Sequence, residues 1–529
     1  MKVLVTEQLS DTGIEILRSA DGMEVDVRTD ATPYDLKRII GDYHALIIRS
    51  KTKVTADLLA NAANLKVVGR AGVGIDNVDV DAATRRGIIV MNSPEGNTVS
   101  TAELTMAMML GLSRRVPEAC ASLKRGEWDR KRFVGSELMN KTLGIVGLGR
   151  IGGEVARRAA AFGMKLIGDD PFCTEERAEK LGVKMVPLDE LLRTADFITF
   201  HVPLTDETHG MIGQQEFGLM KKGVKLVNCS RGGVVDERAL YDAVKAGIVS
   251  GCALDVYESE PPAANPLVAL DQAITTPHIG ASTSEAQLNV ATEIARQVID
   301  VLQGRPARNA VNLPLMEGDG LRPYIELAEK LGTLLVQLMG KITGKLAITF
   351  HGEISNRNLV PLTRSFLCGV LKPVLTPPVN MVNAPALAAE RGIEVTETKV
   401  PTCEDYASLI TVQGKVGATA DGRTRTCTLG GTLFADGQPR IVRIDGFDVD
   451  VAPQGPVLIV RNDDKPGAIS HIATVLAKRG INIARMTVGR DEPGGKAITV
   501  LNIDEPVKDD VINEIKSLKI IKDARLVVM

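Results

Sequence analysis

Short apolar, β-branched runs alternate with longer helical patterns along the first 310 residues. The runs are KVLVTE (2–7), MEVDV (23–27), ALIIRS (45–50), LKVVGR (65–70) and IIVMNS (88–93). A second series follows: TLGIVGLG (142–149), KLIGDD (165–170), FITFHV (197–202), VKLVNCS (224–230), SGCALDV (250–256) and AITTPHI (273–279). Strands that are apolar throughout are covered on both faces, as in parallel sheets flanked by helices. Two such series predict two doubly wound α/β lobes. Between them, Ser100 to about Lys124 has no strand character. Its run AELTMAMMLGL is apolar nearly all round and predicts a long buried helix joining the lobes. The pattern at 284–303 is helical again and can close back on the first lobe.

Near residue 313 the texture changes. Residues 313–453 carry a Pro-rich piece, PVLTPPVN (373–380), and runs such as KLAITF, ASLITVQGKV and RTCTLGGTLF, which predict a mixed α+β domain. No catalytic constellation stands out in it. From Pro456 the pattern sharpens to strand, amphipathic helix, two strands, helix and a last strand, ending in IIKDARLVV. That β-α-β-β-α-β order is the ferredoxin-like split βαβ.

The chain has 529 residues, 44% hydrophobic and 24% charged, which suits several ordinary globular cores. Aromatics are only 3% with one tryptophan, Trp128, which argues against a stacking platform for single-stranded nucleic acid. The net charge of -3 suggests neither a polyanion nor a membrane surface as partner. No apolar stretch reaches bilayer-spanning length, and the first residues lack the pattern of a signal peptide. Seven cysteines, never in C-x-x-C spacing, predict reduced thiols in a cytoplasm rather than disulfides or a metal site.

The sharpest motif is Gly147-Leu148-Gly149-Arg150-Ile151-Gly152, directly after an apolar strand and opening a helical run. The first glycine allows the tight turn, the second a close approach to a pyrophosphate, and the third close packing of helix on strand. The helix start offers free N–H groups and a positive dipole end to phosphates. On its own such a motif is often only a glycine turn. Here Asp169-Asp170 ends the next strand, the place for a carboxylate on the adenosine ribose hydroxyls. An acidic pair there repels a 2′-phosphate, so the reading is NAD rather than NADP.

Alcohol oxidation needs a group that takes the hydroxyl proton, and histidine suits neutral pH. Ligands of doubly wound sheets bind beyond the carboxyl ends of the strands. His278 follows AITTP at such an end, and His201 is also near one, so both are open as candidates. Arg231, in NCSRGG, has a guanidinium suited to a carboxylate. Asp255 and Glu260 lie in LDVYESEPP, where a carboxylate beside a histidine can hold its ring. Any one of these taken alone is more often a loop charge or a surface ion pair.

GLGRIG, the NCSRGG arginine, the LDVYESEPP glutamate and the PHIGAST histidine resemble the D-2-hydroxyacid dehydrogenases in order and spacing. The runs RAGVGIDNVD (70–79) and SPEGNTVSTAE (93–103) match as well. The whole chain is similar to the long members that carry an intervening domain and a C-terminal ACT regulatory domain. The resemblance implies a substrate-binding lobe at 1–98 plus 288–312, flavodoxin-like, with a Rossmann-type NAD domain inserted at 99–287. An intervening α+β domain at 313–453 and a ferredoxin-like ACT domain at 455–529 follow.

The resemblance also implies roles. His278 is the acid/base, Glu260 its partner, and Arg231 holds the substrate carboxylate and reacting oxygen. Gly147, Gly149, Arg150, Ile151 and Gly152 line the pyrophosphate, and Asp170 the adenosine ribose. Asp255 stands near the nicotinamide end, while Cys229, Ser230, Arg231, Gly280 and Ala281 line the cofactor cleft. Arg49, Ser50, Val73, Gly74 and Asn97 match substrate-loop positions, with Arg49 a phosphate ligand. Lys131 and Arg132, near Trp128, add positive charge from a neighbouring subunit.

Asn462, Asp464 and Asn482 match the effector site of the ACT domain. The family often has histidine or tyrosine where Asn462 stands, and an aromatic residue where Asp169 stands. The implied reaction is NAD-dependent oxidation of 3-phospho-D-glycerate to 3-phosphohydroxypyruvate, the first step of L-serine biosynthesis, with side reduction of 2-oxoglutarate. L-serine is the implied effector, no metal is implied, and the assembly is a homodimer or homotetramer. The alternatives are another 2-hydroxyacid dehydrogenase, of the glyoxylate or hydroxypyruvate type, and a NAD-sensing corepressor.

Overall fold

The first apolar series forms a wholly parallel sheet of β1 (Lys2–Val5), β2 (Glu24–Val27), β3 (Ala45–Ile48), β4 (Val67–Arg70) and β5 (Ile89–Asn92). The strand order is β2-β1-β3-β4-β5, the flavodoxin-like doubly wound order. In the computed structural model, all residues are described except 315–318, 341–343, 377, 417–424 and 435–436. Pro377, within the Pro-rich run singled out above, is therefore outside the described residues.

The second series gives β6 (Thr142–Val146), β7 (Lys165–Asp169), a two-residue β8 (Lys184–Met185), β9 (Phe197–Phe200), β10 (Val224–Asn228), β11 (Val249–Leu254) and β12 (Ala273–Thr275). They form a parallel sheet of order β12-β11-β10-β9-β6-β7-β8. Winding reverses between β6 and β9, the Rossmann switch point. The glycine motif leaves β6 and His201 follows β9 at that point. The run AITTPHI yields a strand only to Thr275, because Pro277 has no N–H to give a ladder.

The single helix predicted over 100–124 is two helices. Thr98–Arg114 is the buried one, and it packs against the nucleotide sheet through Ala102, Met106, Met109 and Leu112. Arg115 takes a left-handed φ of 54°, and Val116–Lys124 sets off anew along the surface. Pro117 is the reason: it has no N–H for the carbonyl of Ser113, which accepts from Ser136 N at 2.9 Å instead. The helix Ser284–Leu302 lies on the first sheet. There its Val290, Ala291, Ile294 and Val298 share a core with Val3, Ile47 and Val67. Both ends of the nucleotide lobe are thus tied to the first lobe, with the cleft between them.

Beyond it, β13 (Gly344–Gly352), β14 (Ile393–Val400), β15 (Ser408–Val416), β16 (Arg425–Leu433), β17 (Pro439–Ile444) and β18 (Phe447–Val451) form a mixed sheet of order β14-β13-β15-β16-β17-β18. Helices Arg322–Met339 and Val360–Leu371 pack on it. The tail gives β19 (Pro456–Asp463), helix Ala468–Lys478, β20 (Ile483–Arg490), β21 (Lys496–Ile503), helix Asp509–Lys516 and β22 (Ile521–Val528), in sheet order β20-β21-β19-β22. The α/β lobes, α+β domain and ferredoxin-like tail expected from the pattern are all present.

These parts are packed on one another. Val457, Ile459, Ile498, Val500 and Val527 of the tail sheet enter the same core as Leu331, Leu335 and Leu338 of the helix Arg322–Met339. Gln337 exchanges two hydrogen bonds with the backbone of Val528. Towards the first lobe, Asn380 Nδ2 donates to Gly87 O at 2.8 Å, and the Asn312 side chain bonds Val90 N and Ile88 O.

Candidate active site

Gly147 leaves β6 with φ +90°, and a Cβ on Gly152 would stand 2.0 Å from Gly147 O, so neither position admits a side chain. A Cβ on Gly149 would meet nothing within 4 Å, so the loop is open on that side. The helix Arg150–Ala161 starts there and presents its unpaired N–H groups and dipole. Such a cradle fits a pyrophosphate. Asp170 follows β7 at its carboxyl end. Its carboxylate accepts from Leu148 N at 2.7 Å and Phe172 N at 2.8 Å. The neighbouring Asp169 has its pKa raised by burial and by the charge of Asp170. These groups fit NAD on the structure's own terms: a side-chain-free loop at a helix start and an acidic strand end.

On the reacting side, His278 has φ +54°, an uncommon conformation for a residue with a Cβ. Asp255, buried at the end of β11, holds the loop in it. Its carboxylate accepts from Thr276 Oγ1 at 2.6 Å, Ile279 N at 2.8 Å and Gly280 N at 2.8 Å. Gly280 O accepts in turn from Ser100 Oγ at 2.8 Å and Thr101 Oγ1 at 3.2 Å, and Ala281 continues this segment. Asp255 therefore anchors the histidine loop. The Nδ1 of His278 lies 2.9 Å and 3.1 Å from the two Glu260 oxygens, which orients the ring and turns Nε2 away from the pair. Burial would raise the Glu260 pKa. The hydrogen bond and charge of His278, the Tyr257 N–H and the charge of Arg231 outweigh it and hold the carboxyl below its ordinary value.

His201, the other histidine open from sequence, is unsuited to proton transfer near neutral pH. The residue is half-buried overall, but its Nδ1 is shut off without a partner and Nε2 lies 3.0 Å from Thr199 Oγ1. Burial pushes its pKa down to about 3. It packs under the glycine loop instead, its carbonyl 2.6 Å from where a Cβ on Gly147 would stand.

Arg231 is set by the turn after β10. Asn228 Oδ1 accepts from Ser230 N and Ser230 Oγ, and Asn228 Nδ2 donates to Arg231 O. Cys229 points inward against Met108, and burial pushes its thiol up to about 12, so it packs rather than reacts. Arg231 reaches across the cleft to Asp76 of the first lobe, Nε to Oδ2 at 3.1 Å. A Cβ on Gly74 would come within 2.1 Å of Arg231 Nη2, so this arginine can pass only over a glycine. Val73 O accepts from Asn92, and Asn97 caps the start of the helix Thr98–Arg114 with its Oδ1 buried and unpartnered.

Sequence reasoning missed Arg70, at the end of β4. Its Nη2 donates to Ser50 Oγ at 3.1 Å and its Nε is buried without a partner. Burial, then the charges of Arg231 and Arg49, lower its pKa to about 10 against the opposing pull of Asp76 and Glu7. Three guanidiniums thus converge at the mouth of the first sheet, a trap for a multiply charged anion. Glu7 was missed as well. Its carboxylate accepts from Arg49 N, Lys51 N and Thr52 N, and so shapes the loop carrying Arg49 and Ser50. The signal available for Arg70 was its place at a strand end within a quoted run. For Glu7 there was none.

In the tail the expected effector residues are engaged. Asn462 is buried, donating to Asp463 O and accepting from Thr499 Oγ1, so it lies inside rather than open to a ligand. Asp464 accepts from Gly494 N at 3.0 Å and pairs with Arg490, and Asn482 donates to Asp504 at 2.9 Å. Lys131 and Arg132 sit in an exposed 3-10 turn beside an exposed Trp128.

A Rossmann lobe facing a strand-end histidine–glutamate pair and an arginine cluster is the architecture of an NAD-dependent 2-hydroxyacid dehydrogenase, an oxidoreductase. Residues 106–280 match the D-isomer specific 2-hydroxyacid dehydrogenase, NAD binding domain. Residues 320–445 match the D-3-phosphoglycerate dehydrogenase intervening domain, and 456–519 the ACT domain. Along its whole length the chain is 46% identical to D-3-phosphoglycerate dehydrogenase of Archaeoglobus fulgidus, covering 100% of each. It is 44% identical to that of Bacillus subtilis, covering 99% of each. Among solved structures it is similar to D-lactate dehydrogenase from Aquifex aeolicus complexed with NAD and lactic acid, 30% identical with TM-score 0.55, over 60% of this chain and 100% of that one. The chain belongs to the D-3-phosphoglycerate dehydrogenases.

Proposed function

We propose that this chain oxidises 3-phospho-D-glycerate at C2 to 3-phosphohydroxypyruvate, the step that opens L-serine synthesis. The observation that carries the substrate is the convergence of Arg49, Arg70 and Arg231 at the cleft, because a substrate with both a phosphate and a carboxylate needs more than one cation. NAD, when bound along the glycine loop, supplies the hydride acceptor. Arg231 holds the substrate carboxylate and the C2 oxygen, and Arg49 and Arg70 with Ser50 hold the phosphate. His278 Nε2 takes the hydroxyl proton, and the Glu260 carboxylate steadies the resulting imidazolium. Asp170 receives the ribose hydroxyls. The test is NADH oxidation with 3-phosphohydroxypyruvate beside glyoxylate, hydroxypyruvate and 2-oxoglutarate. A kcat/KM that favours the phosphorylated acid supports the reading, and equal values across the panel overturn it.

L-serine is the proposed effector of the tail domain, whose core is shared with the helix Arg322–Met339 and so with the rest of the chain. Serine should inhibit wild type and lose that effect in an Asp464→Ala, Asn482→Ala double variant with near-equal uninhibited kcat. The proposed assembly is a homodimer or homotetramer. Val116, Leu123, Trp128 and Val134 are exposed apolar side chains on the helix Val116–Lys124 and the segment after it, which a second copy can cover. Light scattering reads the mass. No helix among the described residues is long and apolar enough to cross a membrane, and the proposed location is the cytoplasm.

A further inference from the structure

The glycine loop is gripped by a residue that none of the roles above includes. Arg177 lies in the helix Glu175–Leu181, after β7. Its Nε donates to Leu148 O at 3.2 Å and its Nη2 to Gly149 O at 3.1 Å. One guanidinium thus bridges two successive carbonyls of the loop. Leu148 is thus held through both of its backbone groups, because its N–H is taken by Asp170 Oδ2 at 2.7 Å. Gly149 O also receives Gly153 N at 3.1 Å, the first helical bond, so Arg177 fastens the helix start itself. Thr174 Oγ1 accepts from Arg177 N and fixes where the side chain sets out.

Carbonyls pulled outward turn the N–H groups of the same loop toward the cleft, where an anion meets them. A glycine-rich turn left alone samples many conformations, and ordering it on ligand binding costs affinity. We propose that Arg177 is a positioning residue for the cofactor. It pre-orders the Leu148–Gly149 peptides and adds one positive charge beside the pyrophosphate site, without contacting the reacting atoms. The inference rests on the NAD reading above. It also makes Asp170 and Arg177 a unit, since each holds one backbone group of Leu148, so their effects are coupled rather than additive.

The experiment is NADH binding to the full-length protein, read by quenching of intrinsic or nicotinamide fluorescence with no second substrate present. Proteins are wild type, Arg177→Gln, Arg177→Lys, Asp170→Ala and the Asp170→Ala, Arg177→Gln double variant, each checked by thermal melting. Arg177→Gln should raise the NADH Kd about tenfold, the size expected for charge-assisted hydrogen bonds at a partly exposed site. Arg177→Lys should recover part of the loss through its charge but not the two-carbonyl fork. The double variant should bind NADH no worse than a few-fold below the weaker single variant. With NADH saturating, turnover should fall far less than affinity. An unchanged Kd in Arg177→Gln, or a lower melting temperature with unchanged Kd, assigns Arg177 a purely structural part and overturns the inference. Wild type that binds no NADH overturns the NAD reading and this inference with it. Fully multiplicative losses in the double variant overturn the shared grip.

Discussion

Glu260 Oε2 lies 2.9 Å from Nδ1 of His278, a contact between a loop after β11 and a loop after β12. The pair joins the histidine proposed as acid/base to a carboxylate whose pKa is held below its ordinary value. His278→Ala should lower kcat roughly 10²–10⁴-fold while NADH affinity holds. Glu260→Gln should lower kcat less, roughly tenfold, because the ring remains but its orientation and charge partner weaken. Steady-state rates with parallel NADH titrations check both. If His278→Ala retained near-normal turnover, another group would be the acid/base.

Asp255 should behave as an anchor. Its buried carboxylate accepts three hydrogen bonds from Thr276, Ile279 and Gly280, and Asp255→Ala leaves those donors without it. We expect a stability loss of about 3 kcal/mol from denaturant titration. Turnover should drop roughly 10²-fold, since His278 is no longer held in its left-handed conformation. A variant as stable as wild type would contradict the anchor.

Arg70→Gln should raise the KM for the phosphorylated substrate roughly tenfold or more and leave NADH binding unchanged. A non-phosphorylated 2-keto acid should respond much less, and that comparison separates a phosphate contact from general damage. Equal losses for both substrates would place Arg70 on the carboxylate side.

Asp170→Ala should narrow the preference for NAD over NADP. The carboxylate that repels a 2′-phosphate is gone, and the Leu148 N–H is released to bond an anion. Comparing kcat/KM for the two cofactors decides it. An unchanged ratio would sink the assignment.

His201 should shape acid stability rather than rate. Its pKa is about 3 folded against an ordinary 6.5, so below about pH 6.5 the unfolded chain binds a proton the fold refuses. Stability then falls as pH drops from about 6.5 towards about 3, by at most about 1.4 kcal/mol per pH unit. His201→Gln should flatten that decline without moving the pH profile of kcat. Denaturant midpoints at pH 7 and pH 5 measure it.

Local pattern carried the layout a long way. The two series of apolar runs, the glycine motif after β6 and the ferredoxin-like order of the tail are written in adjacent residues, where a 2-residue or 3.6-residue period shows what each face must meet. The residues named at strand ends were legible for the same reason: doubly wound sheets expose those ends. What stayed hidden depended on partners far along the chain. The break at Arg115 follows from Pro117 together with Ser136 taking the carbonyl of Ser113. Arg70 gains meaning only beside Arg231, which is 161 positions away and passes over Gly74.

By itself, then, the sequence determined the strands, the glycine turn after β6 and the chemical types at the strand ends, because those follow from periodicity and backbone freedom within a few residues. Tertiary structure alone decided which histidine is paired with a carboxylate at the cleft and which is packed away beneath the glycine loop. His278 and His201 both follow strands of one parallel sheet. One is half-exposed and paired with Glu260, while the other is half-buried under the glycine loop, its Nδ1 shut off and its pKa pushed to about 3. It also decided that the tail domain shares a core with the helix Arg322–Met339. An apolar strand face needs cover, but its composition does not say which surface will provide it; only shape and packing against a particular neighbour settle that.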